Sequence, residues 1–395
     1  MLKLMLDKEN NKLSRYRSLL FLLVLIILIS PSNFLWAEDK GTAKDNGQIA
    51  QAKITEENEK NKVGITLLPI VYYTPETKIA FGVGGIFTYR FGLFFKKARP
   101  STLYLAGIYT QMKQYILQLK PEIYLKNNSI LLTGNFLVQH FPTNFWGVGA
   151  NTSDSTKENY TPQSYFLEFG YQQKIFTKIP VYLGIRYHLE DYRILEKEPG
   201  KLLDQHLVPG SEGGFLSGPG LIITYDDRDN IFYPTEGYYL QTYLFWNNKV
   251  FGSNFNFFNC NFDLRDYLPI ADGQILALQA TFAFNSGYVP FYRLSTLGGD
   301  TILRGYYSGR YRDKDLLAFQ AEYRFPVWKR FSAVVFGALG NIADRLDHFT
   351  WDTLRYAAGF GLRFKVIPKE KANIRIDFAF GPHTTGIYLR AGEAF

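Results

Sequence analysis

Leu317-Ala318-Phe319-Gln320-Ala321-Glu322-Tyr323-Arg324-Phe325 alternates two kinds of side chain. In an extended strand successive side chains point to opposite faces. Leu317, Phe319, Ala321, Tyr323 and Phe325 therefore share one face, and Gln320, Glu322 and Arg324 share the other. A soluble sandwich buries its apolar face against a second sheet and gains nothing from large aromatics opposite charges in strand after strand. A closed barrel in lipid requires that arrangement: apolar residues outward, polar residues toward a wet lumen, and no unpaired edge. The stretch predicts an all-β transmembrane antiparallel β-barrel.

The same period recurs on both sides of it. Ile79, Phe81, Val83, Phe87, Tyr89 and Phe91 oppose Lys78, Gly82, Gly84, Thr88 and Arg90; Tyr115, Leu117, Leu119 and Ile123 oppose Gln118, Lys120, Glu122 and Tyr124. Ile130, Leu132, Phe136 and Val138 oppose Thr133, Asn135 and Gln139; Ile374, Ile376, Phe378 and Phe380 oppose Arg375 and Asp377. The pattern yields about 16 strands, an allowed even number. They fall near residues 64–74, 78–91, 101–112, 114–126, 129–141, 160–173, 180–193, 214–226, 236–247, 253–268, 273–285, 314–326, 330–341, 352–365, 372–381 and 385–395. Around Phe257-Phe258 the apolar parity switches, which predicts a β-bulge or a bend in that strand. Aromatics near strand ends (Tyr72, Tyr73, Trp146, Tyr160, Trp246, Trp328 and Trp351) are expected to form interfacial girdles. Long and short connections roughly alternate, as they do when one end faces the exterior and the other the periplasm.

Composition fits this class. Aromatics make up 17% of the chain and there are 34 glycines, while the mean hydropathy is slightly negative. Such a mixture suits strands that are apolar on one side only and argues against a helical membrane protein. Cys260 is the sole cysteine, so no intramolecular disulfide forms. The formal charge of +8 is spread along the chain and does not gather on a face, which argues against nucleic-acid binding.

Before the barrel, Lys3, Lys8, Lys12, Arg15 and Arg17 precede the apolar run Leu19–Ile29, and Ala37 offers a small residue for cleavage. Residues 1–37 read as a signal peptide for export. Residues 38–62 are polar, lack aromatics and read as a flexible periplasmic tail; residues 63–395 are the outer-membrane barrel. The expected location is the outer membrane of a Gram-negative type envelope, with its lipid as the first partner.

Between two of the alternating segments lies Leu297-Gly298-Gly299-Asp300-Thr301-Ile302-Leu303-Arg304-Gly305-Tyr306-Tyr307-Ser308-Gly309-Arg310-Tyr311-Arg312. A barrel has little reason to keep so glycine- and arginine-rich a loop unless its interior receives it. With Tyr225-Asp226-Asp227-Arg228-Asp229-Asn230, the following Tyr233-Pro234-Thr235-Glu236-Gly237, and Glu322-Tyr323-Arg324-Phe325-Pro326, this loop resembles the barrel domain of the BamA/TamA superfamily, the bacterial surface antigens.

That resemblance covers residues 63–395 and rests most on Gly298, Gly299, Asp300, Leu303, Arg304, Gly305 and Tyr306, which are similar to the family's loop-six signature. It implies a barrel that inserts outer-membrane proteins or translocates polypeptides, with client outer-membrane or exported polypeptides as partners. It also implies that Arg304 reaches into the lumen to acidic wall residues. Glu322 and Asp377, inward by parity, are the candidates. A guanidinium suits a carboxylate in a confined space, being permanently charged and presenting five donors. Asp226, Asp227, Arg228, Asp229, Pro234 and Gly237 form the charged turn the family shows at mid-barrel, and Phe395 is the C-terminal strand signal read by assembly machinery.

Two features depart from the family. In Val335-Phe336-Gly337-Ala338-Leu339-Gly340-Asn341 the family commonly has Asp where this chain has Ala338. Residues 38–62 are also too few for even one of the POTRA modules that family members carry, so assistance to insertion is expected either through the barrel itself or with a separate periplasmic partner.

No catalytic pattern emerges. His140, His188, His206, His348 and His383 lack metal-ligand spacing, and no Gly-x-Ser-x-Gly elbow occurs. No enzyme activity, metal or cofactor is expected. The alternative function is a passive pore or structural surface antigen, tuned by lumen-facing Lys120, Glu122, Arg324, Arg355, Arg363, Arg375 and Asp377.

Overall fold

The computed structural model describes residues 63–89, 101–177, 179–367 and 371–395. The signal peptide and tail expected at 1–62 lie outside the described residues. The alternating segments become sixteen antiparallel strands. These are β1 (Val63–Thr74), β2 (Lys78–Tyr89), β3 (Ser101–Thr110), β4 (Tyr115–Leu125), β5 (Ile130–His140), β6 (Glu158–Lys174), β7 (Val181–Lys197) and β8 (Gly213–Asp226). There follow β9 (Gly237–Asn247), β10 (Phe257–Ala271), β11 (Gln274–Gly287), β12 (Asp315–Trp328), β13 (Phe331–Ala343), β14 (Arg355–Ile367), β15 (Ala372–Gly381) and β16 (Thr384–Ala391). Each strand pairs with the next, and β16 meets β1 to close the barrel.

Three short strands complete it. Thr143–Phe145 carries the line of β5 onward beside β6; Ser295–Leu297 and Tyr311–Asp313 form a small hairpin inside the β11–β12 connection. In an up-and-down barrel alternate connections share an end. Those at 141–157, 198–212, 248–256, 288–314 and 344–354 lie at one end, and the short ones at 126–129, 272–273 and 329–330 at the other. The connection 288–314 is the sixth at its end, hereafter loop six.

Except along the β1–β16 seam, where Tyr73↔Leu389 is the one register pair among the described residues, the ladders satisfy the strand amides internally, as lipid demands, and the alternation sorts the side chains. On β15, Ile374, Ile376 and Phe380 are exposed on the outer wall, while Arg375 and Asp377 are sealed inside. On β12 the inward Leu316, Ala318, Gln320, Glu322 and Arg324 are all buried. Outer-wall rings such as Phe360 and Phe378 stack across strands at 5.3 Å, where aromatic pairs add to sheet stability.

Four expectations need correction. Tyr72, Trp146 and Tyr160 are buried and form no girdle. Tyr72 faces inward beneath the Arg390 guanidinium, Trp146 packs on Tyr307, and Tyr160 packs on Phe291 under the long connections. Trp246, Trp328 and Trp351 are exposed. The parity switch at Phe257-Phe258 is no bulge: β10 simply begins at Phe257, and its register runs unbroken to Pro269, with the irregularity between Pro269 and Ala271. Residues 253–256 belong to the preceding connection, where Ser253 and Asn256 bond backbone rather than extend the strand. Finally, β16 stops at Ala391, so Phe395 is not the last residue of a strand. Gly392 turns the chain with φ of +82°, and Phe395 packs inside the barrel on Tyr267 and Ala277.

Candidate functional site

The site is built from loop six and the inner faces of β12 to β16. Gly298 and Gly299 (φ of +109° and +125°) fold loop six back on itself, and the Gly299 amide donates to the Tyr306 carbonyl at 3.1 Å. Leu303 holds a left-handed φ of +55°, costly for a branched side chain. The cost is offset by burial: Leu303 packs with Leu297, Tyr306, Tyr311, Leu316 and Ile342. This turn and Gly305 (φ of +110°) aim Arg304 away from the loop and into the barrel.

Arg304 is 1% exposed. Its Nη2 lies 2.6 Å from Glu322 Oε1 on β12, and its Nη1 donates to Asp377 Oδ2 on β15 at 2.8 Å. Its guanidinium carbon lies 3.5 Å from the centroid of Phe336 on β13, so one face of the cation rests on a ring. The two carboxylates are shared. Asp377 also accepts from Arg363 Nη1 at 2.5 Å and from Arg375 Nη1 at 2.6 Å. Glu322 accepts from Arg324 Nε at 3.1 Å and lies 3.7 Å from Arg363 Nη2. Arg363 Nε donates to Glu393 Oε2 at 2.7 Å.

Four guanidiniums thus face three carboxylates in a buried volume, and at its edge Asp300 of loop six, paired with Arg390, lies 3.6 Å from Arg375 Nη2. Such groups persist away from water only when paired and hydrogen-bonded. A small residue makes the room. A Cβ at Gly361, opposite Asp377 in the ladder, would stand 2.2 Å from Asp377 Oδ1 and 2.7 Å from Arg363 Nη1.

The loop is also held outside the charged knot, on both flanks of the barrel's closing seam. On the β16 side, Tyr388 Oη accepts from the Gly305 amide at 2.9 Å and donates to the Tyr306 carbonyl at 3.3 Å. Thr384 Oγ1 donates to the Gly305 carbonyl at 2.6 Å, and Asp300 pairs with Arg390 Nε at 2.7 Å. On the β1 side, Glu76, in the turn between β1 and β2, accepts the Ser308 amide at 2.5 Å. Burial pushes the Glu76 carboxyl upward, while the hydrogen bonds from Thr74 and Ser308 pull it down. Substituting Tyr388→Phe leaves the buried Gly305 amide without its acceptor. The expected cost is about 1–3 kcal/mol, read as a lower unfolding midpoint in detergent with faster hydrogen exchange at Gly305; an unchanged midpoint and exchange rate would remove Tyr388 from the clamp.

Ala338, where the family commonly has Asp, packs half-buried against the apolar side of loop six, and the ionic partners come from β12 and β15 instead. The charged turn is a separate structure. Asp226 binds Arg228 at 2.8 Å, and Asp227 accepts from Tyr225 Oη at 2.6 Å. Asp229 accepts from Thr235 and Lys371, Pro234 is buried, and Gly237 has φ of +102°. These partners occupy the three carboxylates. Among the described residues the turn meets the knot through Tyr233, whose ring lies 5.6 Å from the Arg324 guanidinium.

Sequence reading did not single out Phe336, Gly361, Tyr388, Arg390 as the partner of Asp300, or Glu393. Strand parity could have flagged two of them. It places Tyr388 inward, and it puts Glu393 on the lipid side if β16 continued, an untenable position for a carboxylate.

An Omp85 superfamily domain model matches residues 108–395. Among curated proteins none matches the sequence. By structure, the chain is similar to BamA from Haemophilus ducreyi lacking POTRA domains 1–3, with 14% identity and a TM-score of 0.58, over 90% of this chain and 80% of that one. It is also similar to CdiB from Acinetobacter baumannii, with 10% identity and a TM-score of 0.54, over 89% and 70% of the two chains. CdiB from Escherichia coli gives 10% identity and a TM-score of 0.56, over 83% and 62%.

Proposed function

The chain belongs to the Omp85 superfamily, and from that premise we propose that it is an assembly or translocation barrel, inserting outer-membrane proteins or passing polypeptides at the seam between β1 and β16. The family's barrel implies a bacterial outer membrane, whose lipid is its surround.

The observation that carries the reading is the poverty of that seam. β1 and β2 share twelve register pairs, from Val63↔Tyr89 to Thr74↔Lys78, and β15 and β16 share eight. Among the described residues β1 and β16 share one, Tyr73↔Leu389. A strand edge left with free amides and carbonyls is a template for another strand, and in lipid those groups are costly until something pairs with them. A client strand can satisfy them by edge addition, the recognition mode in which main-chain bonds supply the affinity. Pro69, which has no amide to donate, weakens regular closure along β1.

Loop six supports the same reading over an open pore. Its arginine is pinned by ionic contacts across the interior, and its flanks grip both sides of the seam, through Glu76 on one and Tyr388, Thr384 and Arg390 on the other. A separate periplasmic protein would deliver the client to the short-turn end. Depleting the protein and comparing outer-membrane proteomes tests the proposal. The expected result is a fall in at least one other barrel or exported polypeptide. A membrane proteome that stays the same would overturn it.

A further inference from the structure

The charged turn between β8 and β9 does not stay on its own side of the barrel. At its base Arg228 Nε and Nη2 donate to Asp226 Oδ1 and Oδ2 at 2.8 and 3.2 Å, and the guanidinium lies 4.4 Å from the Tyr239 ring on β9. Further out, Asp229 Oδ1 accepts the Thr235 amide at 2.7 Å, and Asn230 Oδ1 accepts the amides of Phe232 and Tyr233 at 2.8 and 2.9 Å. Residues 229–235 are therefore tied into one body. That body reaches Lys371, immediately before β15, whose Nζ donates to Asp229 Oδ2 at 3.2 Å. From β9 to β14 the wall runs through five strand spacings, roughly 24 Å. The turn makes its contact by cutting across the periplasmic mouth.

Tyr233 marks what the turn covers. Its ring lies 5.6 Å from the Arg324 guanidinium, and its hydroxyl is hydrogen-bonded to Ser332 on β13. Ser332 stands opposite Arg363 in the ladder and so faces inward. Arg324 and Arg363 both pair with Glu322, the carboxylate that also holds Arg304. The turn thus lies on the periplasmic underside of the charged knot, at the end opposite loop six. Its two fastenings are unequal. The base is a bidentate pair whose side chains are 11% and 9% exposed, whereas the far end is one ion pair whose lysine is 40% exposed. A pair so open to water contributes little and weakens with salt. The far end is the one that releases.

We propose that residues 227–236 are a periplasmic strap, a gate beneath the charged knot that the Asp229–Lys371 pair shuts and whose loss opens it. Shut, the strap keeps water and ions from reaching Arg324 and Arg363 from below, while loop six covers the knot from above. Open, it swings as one body about the Asp226–Arg228 base, as a lid does about its hinge, and the underside of the knot meets the periplasm. The rising ionic strength that screens the pair is then an opening signal. This goes beyond the route proposed for clients, and the strap stands whether a polypeptide enters at the seam or through the lumen.

The test uses the full chain in detergent micelles with Cys260→Ser and Ser332→Cys, and follows how fast an uncharged maleimide labels the thiol under the strap. An Asp272→Cys thiol, exposed in the β10–β11 turn, supplies the reference rate for every protein and salt. Lys371→Glu sets two carboxylates against each other and is expected to raise the relative rate at least about threefold. Lys371→Arg keeps the pair and is expected to leave the rate as it was. Salt then separates an ionic fastening from a general loosening of the fold. Raising the ionic strength from about 0.01 to about 1 M shortens the screening length from about 30 to about 3 Å. Labelling is expected to quicken with salt when Lys371 is present and to slow with salt in Lys371→Glu, where a repulsion is relieved. Equal rates for Lys371 and Lys371→Glu, a salt response of the same sign in both, or a Ser332→Cys thiol as reactive as the reference with Lys371 in place would overturn the strap.

Discussion

Replacing Asp377 with alanine is expected to destabilise the barrel more than any other single change in its interior. Three buried guanidiniums, those of Arg304, Arg363 and Arg375, converge on this one carboxylate. Removing one partner of a buried ion pair costs about 3–5 kcal/mol, chiefly because the other is left charged and dry. Here the substitution leaves four guanidiniums with Glu322 and Glu393. Charge count then orders the variants. Asp377→Asn keeps the volume and should fall nearly as far as Asp377→Ala. Arg304→Met brings the cluster to three against three and keeps an apolar contact with Phe336, so it should cost least. The check is the temperature at which folded protein shifts to unfolded mobility on detergent gels, read beside hydrogen exchange in residues 298–308. Should Asp377→Asn match the wild type while Arg304→Met fails, packing rather than charge holds loop six in place.

How much of this was legible beforehand depends on whether a residue obeys the two-residue period. Strands such as β2, β12 and β15 were readable nearly to their ends because lipid on one side and a polar interior on the other force opposite chemistry on successive residues. The inward direction of Glu322, Arg324, Arg363, Arg375 and Asp377 followed from the same parity. Which of them meet did not, because β12, β14 and β15 are joined through register and barrel curvature, and neither is written in one strand. The girdle expectation misplaced Trp146 and Tyr160 for a related reason. An aromatic at a strand end looks the same whether it turns to lipid or under a long connection, and here loop six supplies the Tyr307 and Phe291 rings that draw them in. Phe395 was misread most instructively. A terminal aromatic after an alternating segment looks like the end of a strand, yet Gly392 and the misplaced charge at Glu393 both mark a departure from the wall.

The seam supplies the second large effect. Tyr73 and Leu389 are directly opposed, so cysteines at the two positions in a Cys260→Ser background can be joined across β1 and β16. If client strands enter by adding to the free edge of β1, pinning that edge to β16 removes the separation they need, while the lumen, the loop-six knot and the outer wall stay intact. Oxidised protein in lipid vesicles is then expected to lose at least tenfold in the rate at which it inserts a client barrel, about 1.4 kcal/mol on the barrier, and reduction should restore the rate. The reduced sample carries the same substitutions, so loss of the Tyr73 ring cannot account for the difference. A passage through the lumen makes the opposite demand. It requires Arg304 to release Glu322 and Asp377, leaves the seam closed, and is indifferent to the bond. Oxidised protein that inserts its client as fast as reduced protein would therefore move the route from the wall to the interior, and make the ionic knot around Arg304 the gate.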